Sequence, residues 1–95
     1  MMEKRKKSQS LQALKERRKQ IDLIDRKLLK LLSQRLRIAL RIGKIKKALG
    51  EKIYHPEREK MILESLIEKN KGPLKEEDLK KIFTTIMKVC RKSQT

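Results

Sequence analysis

The sequence is poor in cysteine, histidine and aromatic residues. Cys90 is its only cysteine and His55 its only histidine. An intramolecular disulfide and any metal site built on cysteines or on several histidines are therefore excluded. Tyr54 and Phe83 are the only aromatic residues, and tryptophan is absent. A large aromatic core is excluded as well.

Long apolar runs are also missing. No segment approaches the roughly 20 apolar residues that a membrane-spanning helix needs, and the N-terminus lacks the apolar middle of a signal peptide. We therefore expect a cytoplasmic protein that makes no use of a membrane.

Positive charge, in contrast, is abundant. Lysine and arginine number 28 against 12 acidic residues, so the net charge is +16 over 95 residues. This balance favours an anionic partner such as nucleic acid, an acidic membrane face or a small polycarboxylate. A chain of this length makes one domain whose own core is marginal, and oligomerisation is a common remedy.

The first half of the chain predicts one long helix. Residues 1–8, MMEKRKKS, are basic and lack periodicity, which is typical of a disordered arm. Residues 9–95 then form the helical domain. No proline and only one glycine, Gly43, occur between Gln9 and Leu49. A helix of that length measures roughly 60 Å, against about 25 to 30 Å for a compact 95-residue globule. We expect it to protrude and to pair with a second chain.

Two shorter helices follow. Gly50 ends the long helix, and Pro56 suits the first position of a second helix over about 56–70. The KGPL segment at 71–74 is a turn. Three acidic residues then favour the start of a third helix over about 75–92. No strand-like alternation occurs, so the predicted fold is all-α.

A seven-residue repeat marks one face of the long helix and carries cations where apolar residues belong. This stripe consists of Leu14, Arg18, Ile21, Asp25, Leu28, Leu32, Arg35, Ala39, Ile42, Lys46 and Leu49. Burying Arg18, Arg35 and Lys46 without counter-charge would be unfavourable. A single cation on such a stripe can instead pair with an acidic side chain or reach water. Three cations on one stripe favour an anionic ligand.

The short helices repeat this anomaly. Glu59 heads an apolar stripe with Ile62, Leu63 and Leu66, and Gln94 ends a stripe with Phe83, Met87 and Cys90. Two arginines, a lysine, a glutamate and a glutamine suit a dicarboxylate that carries a hydroxyl and an ether. By residue type alone, we expect Cys90 to be a small core residue and His55 to be a helix-cap or surface residue.

Spacing along the helix indicates how many chains build this site. Arg35 and Lys46 are 11 residues apart, roughly 16 Å, so both can grip one small molecule. Arg18 lies 28 residues from Lys46, roughly 42 Å, and must come from a second protomer if it joins the site. Antiparallel pairing would put the two-fold axis near residue 29. An isologous dimer with two shared pockets is the prediction.

The sequence resembles the all-α class of chorismate mutases over about residues 11–94. The resemblance rests on LKERRKQIDLIDRKLLKLLSQR, on RIGKIKKALGEKIYHPEREKMIL and on GPLKEEDLKKIFTTIMKVCRKSQ. The KGPL turn and the IFTTIMKVC run are most similar to the mutase domain of bifunctional chorismate mutase–prephenate dehydratases. The resemblance implies three helices per protomer, intertwined into a homodimer with two active sites. It also implies a Claisen rearrangement of chorismate to prephenate without metal or cofactor.

The same resemblance implies roles for individual residues. Arg18, donated across the dimer, would bind one substrate carboxylate and Arg35 the other, with Arg58 supporting the carboxylate end. Lys46 would contact the ether oxygen and a carboxylate, and Gln94 the same ether oxygen.

Three further positions complete the implied site. Glu59 would accept from the ring hydroxyl. His55 stands where aspartate is frequent, so only a backbone contact would survive there. Cys90 stands where serine is common, so a contact to carboxylate would weaken.

The sequence is also compatible with other functions. An isochorismate–pyruvate lyase on the same fold would also use a cationic pocket, although a hydroxyl acceptor at Glu59 suits chorismate. A basic helical nucleic-acid-binding dimer would use the high positive charge, although such a protein needs exposed cations rather than cations in an apolar seam. A non-catalytic dimer that regulates another enzyme is the third alternative.

Overall fold

The structure, a computed structural model, describes residues 2–95 and the side chains from Glu3 onward. It contains three helices, α1 (Met2–Leu49), α2 (Pro56–Lys69) and α3 (Glu76–Ser93), and the described residues include no strand. The prediction of an all-α fold with one long and two shorter helices is confirmed.

Helix α1 begins earlier than the sequence predicted. The expected disordered arm covered residues 1–8, whereas α1 starts at Met2; Met1 lies outside the described residues. Lysine, arginine and glutamate are good helix formers, and Glu3 sits in the first turn, where a negative charge is favourable. All side chains from Glu3 to Ser10 are exposed. Local propensity, rather than packing, therefore accounts for this extension.

Gly50 ends α1, as its position predicted. Its φ of 70° lies in the left-handed region, which residues with a Cβ rarely adopt. The Gly50 N–H donates to the Lys47 carbonyl at 3.3 Å, and the Glu51 N–H donates to the Lys46 carbonyl at 2.8 Å. This pair of bonds is a Schellman motif, which satisfies carbonyls at the helix end.

Asn70 closes the turn between α2 and α3. Its Nδ2 donates to the Leu74 carbonyl at 2.7 Å, and the Gly72 N–H donates to its Oδ1 at 3.3 Å. Helices α2 and α3 pack against each other. This turn thus fixes the hairpin that carries half of the site described below.

The structure divides into two units, one ending at Ser33 and one spanning Gln34–Thr95. Every side chain described between Glu3 and Leu32 is exposed. The buried apolar side chains belong to the second unit and are Ala39, Leu79, Met87 and Cys90. Among the described residues, no helix is both long and apolar enough to cross a membrane.

Candidate active site

A cleft of about 560 Å³ opens in the second unit. Its walls are the last turns of α1, the connection after α1, the first turns of α2 and the last turns of α3. The cleft brings together seven of the eight residues predicted for the site: Arg35, Lys46, His55, Arg58, Glu59, Cys90 and Gln94. Apolar side chains surround them, namely Ile38, Ala39, Ile42, Ile53, Ile62 and Met87.

Lys46 is held in place by the chain that follows its own helix. Its Nζ donates to the Ile53 carbonyl at 2.8 Å. The Schellman motif at Gly50 turns the chain back, which brings residue 53 within reach of residue 46. An ammonium group has three donors, so two N–H groups remain available for a ligand.

Gln94 joins the end of α3 to α1. Its Nε2 donates to the Ala39 carbonyl at 2.9 Å, while its Oε1 is buried without a hydrogen-bond partner among the described residues. Gly43 permits this approach, because a Cβ at that position would lie 2.9 Å from Cγ of Gln94. The amide is therefore anchored at the edge of the cleft through one of its two N–H groups.

Glu59 is paired with a residue that the sequence pattern did not single out. Nη1 of Arg91 lies 2.5 Å from Oε2 of Glu59, and both side chains are mostly buried, at 29% and 23% exposure. The Arg91 guanidinium also lies over the Tyr54 ring, 4.3 Å from its centroid. Arg91 follows the buried Met87 by one helical turn, a spacing that places it on the same face of α3.

The remaining polar side chains of the cleft differ in exposure. Arg35 is half-buried, whereas His55 and Arg58 are exposed. His55 occupies the N-cap position of α2, but its side chain makes no capping hydrogen bond. Cys90 is buried, with 7% exposure, and is a free thiol.

The charges in the cleft are unbalanced. Among the side chains that the structure describes, four cations line it, and Glu59 is the only carboxylate that does so. Arg91 forms a salt bridge with that carboxylate. Within the part of the chain that the structure describes, Arg35, Lys46 and Arg58 form no salt bridge. Cations without a protein counter-ion in a partly apolar cleft suit a ligand with more than one negative charge.

Arg18, the eighth predicted residue, lies in the first unit and is exposed. It lines a second depression of the surface together with Leu11, Leu14, Lys15, Lys19 and Asp22. It does not line the cleft of the second unit.

Residues 9–95 match the sequence model of the family described as chorismate mutase type II. The chain belongs to this family. A solved chorismate mutase (form II) from Thermus thermophilus is similar in structure, with a TM-score of 0.81 and 37% sequence identity. The similarity covers 88% of this chain and 92% of that one. The resemblance noted in the sequence is confirmed.

The chain is also similar to curated relatives whose names include chorismate mutase. It is 42% identical over 82 residues to the bifunctional chorismate mutase/prephenate dehydratase of Pseudomonas aeruginosa, covering 81% of this chain and 22% of that protein. It is 45% identical over 56 residues to the chorismate mutase of Methanocaldococcus jannaschii, covering 59% and 57%. The chain spans about a fifth of the length of the bifunctional relatives that it matches.

Proposed function

We propose that this chain is a chorismate mutase, an isomerase that converts chorismate to prephenate in the biosynthesis of phenylalanine and tyrosine. Family membership supports the activity. The observation that carries it is the cleft of the second unit, where Arg35, Lys46 and Arg58 lack acidic partners among the described residues. A dicarboxylate such as chorismate supplies the missing negative charge.

The reaction needs no atom from outside the substrate. One ether C–O bond breaks and one C–C bond forms within the same molecule, so the enzyme has to hold the folded conformer and stabilise charge on the ether oxygen. Lys46 has two free N–H groups and Gln94 has one, and we assign both to the ether oxygen, with Lys46 also contacting a carboxylate. We assign Glu59 as the acceptor for the ring hydroxyl.

The carboxylates of the substrate require separate cations. We assign one carboxylate to Arg35, with Arg58 at the rim, and the other to Arg18 of the partner subunit. His55 contributes only its backbone. Cys90 forms part of the wall of the cleft and has no hydroxyl group to donate to a carboxylate. These assignments account for three of the four cations of the cleft, namely Arg35, Lys46 and Arg58.

A homodimer with shared sites is part of this proposal. The first unit exposes large apolar side chains over residues 11–32, and they are Leu11, Leu14, Ile21, Leu23, Ile24, Leu28, Leu29, Leu31 and Leu32. Surfaces of this kind are normally covered by another protein surface. A second copy of the chain, docked antiparallel, would cover them and deliver its Arg18 to the cleft.

The alternative functions have less support. An isochorismate–pyruvate lyase would share the cationic cleft, but the similar solved structure and the relative from Methanocaldococcus jannaschii are chorismate mutases. A nucleic-acid binder needs exposed cations, whereas the half-buried Arg35 and Lys46 face a cleft rather than an open surface.

We also place the protein in the cytoplasm, where biosynthetic substrates of this kind are made and used.

A direct assay tests the proposed function. The purified chain is incubated with chorismate and, separately, with isochorismate, and the products are separated by liquid chromatography and identified by nuclear magnetic resonance, because chorismate and prephenate have the same mass. We expect prephenate from chorismate and no salicylate from isochorismate. Formation of salicylate would favour the lyase. Salt-sensitive duplex binding without turnover of either substrate would favour the nucleic-acid binder, and absence of both activities would favour a regulatory dimer.

A further inference from the structure

We propose that Arg91 is a positioning residue that orients the Glu59 carboxylate toward the substrate. This inference rests on the proposed function, since it assigns Arg91 a task in the same reaction. Arg91 belongs to α3 and not to the stripe of α1 that carries the other cations. None of the roles assigned above belongs to it.

The ion pair leaves one oxygen of Glu59 free. Arg91 donates to Oε2, and no other hydrogen bond or salt bridge to this carboxylate is formed by the residues that the structure describes. A carboxylate has about four acceptor sites on its two oxygens. Fixing Oε2 therefore restrains the group and leaves Oε1 available as the acceptor for a hydroxyl.

The guanidinium of Arg91 is itself held from a second side. It lies over the Tyr54 ring at 4.3 Å, within the range of a cation–π contact. Tyr54 belongs to the connection after α1, Glu59 to α2 and Arg91 to α3. One side chain thus links three segments of the cleft, which favours a fixed geometry over a mobile one.

This arrangement favours positioning over direct binding of the substrate. Arg91 already balances the charge of Glu59, so a substrate carboxylate bound to Arg91 would also be repelled by the nearby Glu59 carboxylate. Arg35 and Arg58 lie in the same cleft without an acidic partner among the described residues and do not carry that penalty. Arg91 therefore acts through Glu59 and does not bind the substrate.

A double-mutant cycle tests this inference, with chorismate turnover as the readout. Arg91→Met, Glu59→Gln and the double variant are compared with the wild type. We expect Arg91→Met to lower kcat by about 10- to 100-fold, as for a misplaced catalytic group, with little change in KM. In the Glu59→Gln background the same change should lower kcat no further, because the residue that Arg91 positions has lost its charge.

Two further variants separate positioning from loss of charge or of folding. Arg91→Lys should restore part of kcat, since lysine can reach the same oxygen with a single donor. Lys92→Met removes one charge from the neighbouring exposed position of α3 and should leave kcat unchanged. If Arg91→Met does not fold, Tyr54→Leu removes the stacking ring instead and should lower kcat in the same direction by a smaller factor.

The outcomes distinguish this inference from the proposed function. A raised KM, with effects of Arg91→Met and Glu59→Gln that multiply, would mean that Arg91 binds substrate directly and would overturn the positioning role alone. A lowered thermal stability with an unchanged kcat would reduce Arg91 to a structural residue. A wild-type chain that does not convert chorismate would overturn the proposed function, and the role of Arg91 with it.

Discussion

Gln94 and Gly43 are in direct contact across the junction of α3 and α1: a Cβ built on Gly43 would lie 2.9 Å from Cγ and 3.0 Å from Cβ of Gln94. Real Cβ atoms essentially never approach other atoms so closely, so Gly43 is the residue that admits Gln94. The hydrogen bond from Gln94 to the Ala39 carbonyl depends on this close approach.

Gly43→Ala should therefore damage activity more than stability. Alanine is favoured over glycine inside a helix by about 1 kcal/mol, which offsets part of the clash. The added methyl group displaces Gln94 from the cleft, and we expect kcat to fall by about 10- to 100-fold. Steady-state turnover and thermal unfolding followed by circular dichroism measure the two effects. Gly72→Ala is the control, because its Cβ would meet only Asn70 at 3.9 Å; equal kcat for both variants would contradict the prediction.

Lys46→Ala should abolish most of the activity while the helices remain. Loss of a preorganised donor to the developing charge lowers the rate by on the order of 100- to 1000-fold. The Ile53 carbonyl also loses its donor, which should lower the free energy of unfolding by about 1 kcal/mol. Lys47→Ala, at the next and exposed position, is the matched control and should retain activity. Near-normal turnover by Lys46→Ala would refute the role assigned to Lys46.

Mixing two inactive variants should restore activity if the sites are shared. Arg18→Ala and Lys46→Ala each disable both sites of their own homodimer. After unfolding and refolding together, half of the dimers are mixed, and each mixed dimer has one intact site. We expect about a quarter of the wild-type activity. Each variant refolded alone is the control, and a mixture no more active than its components would rule out sharing of Arg18 between subunits.

Salt should weaken capture of the substrate more than the chemical step. With a net charge of +16, the protein attracts a dianion, and dissolved ions screen this attraction. We expect kcat/KM to fall by about tenfold or more from low salt to about 0.5 M, with a smaller change in kcat. Sucrose at matched osmolality controls for general solvent effects. A kcat/KM that is independent of salt would show that the net charge does not assist binding.

Most helix boundaries could be predicted because local chemistry sets them. Gly50 ends α1 through its left-handed φ, and Pro56 begins α2 as predicted. Helix α3 starts at Glu76, one residue after the predicted position. The start of α1 was the exception, because the helical propensity of a lysine-rich segment does not require the apolar periodicity on which the prediction relied.

The residues of the cleft were predicted where periodicity placed charges on an apolar stripe. Arg35 and Lys46 are of this kind, and both line the cleft. Arg91 was missed because it lies in the last turn of α3, beside Lys92. Basic residues there are expected simply as favourable partners for the helix dipole. Its pairing with Glu59 depends on how α2 and α3 approach each other, which the sequence pattern does not specify.

The four buried side chains of the second unit, Ala39, Leu79, Met87 and Cys90, offer little to hold one copy of the chain together. If a second copy supplies the missing burial, stability becomes a matter of concentration. In a cell that makes too little of this protein, the dimer would then dissociate and proteases would degrade the separated chains. Abundance itself would set a threshold for the activity, without any allosteric effector.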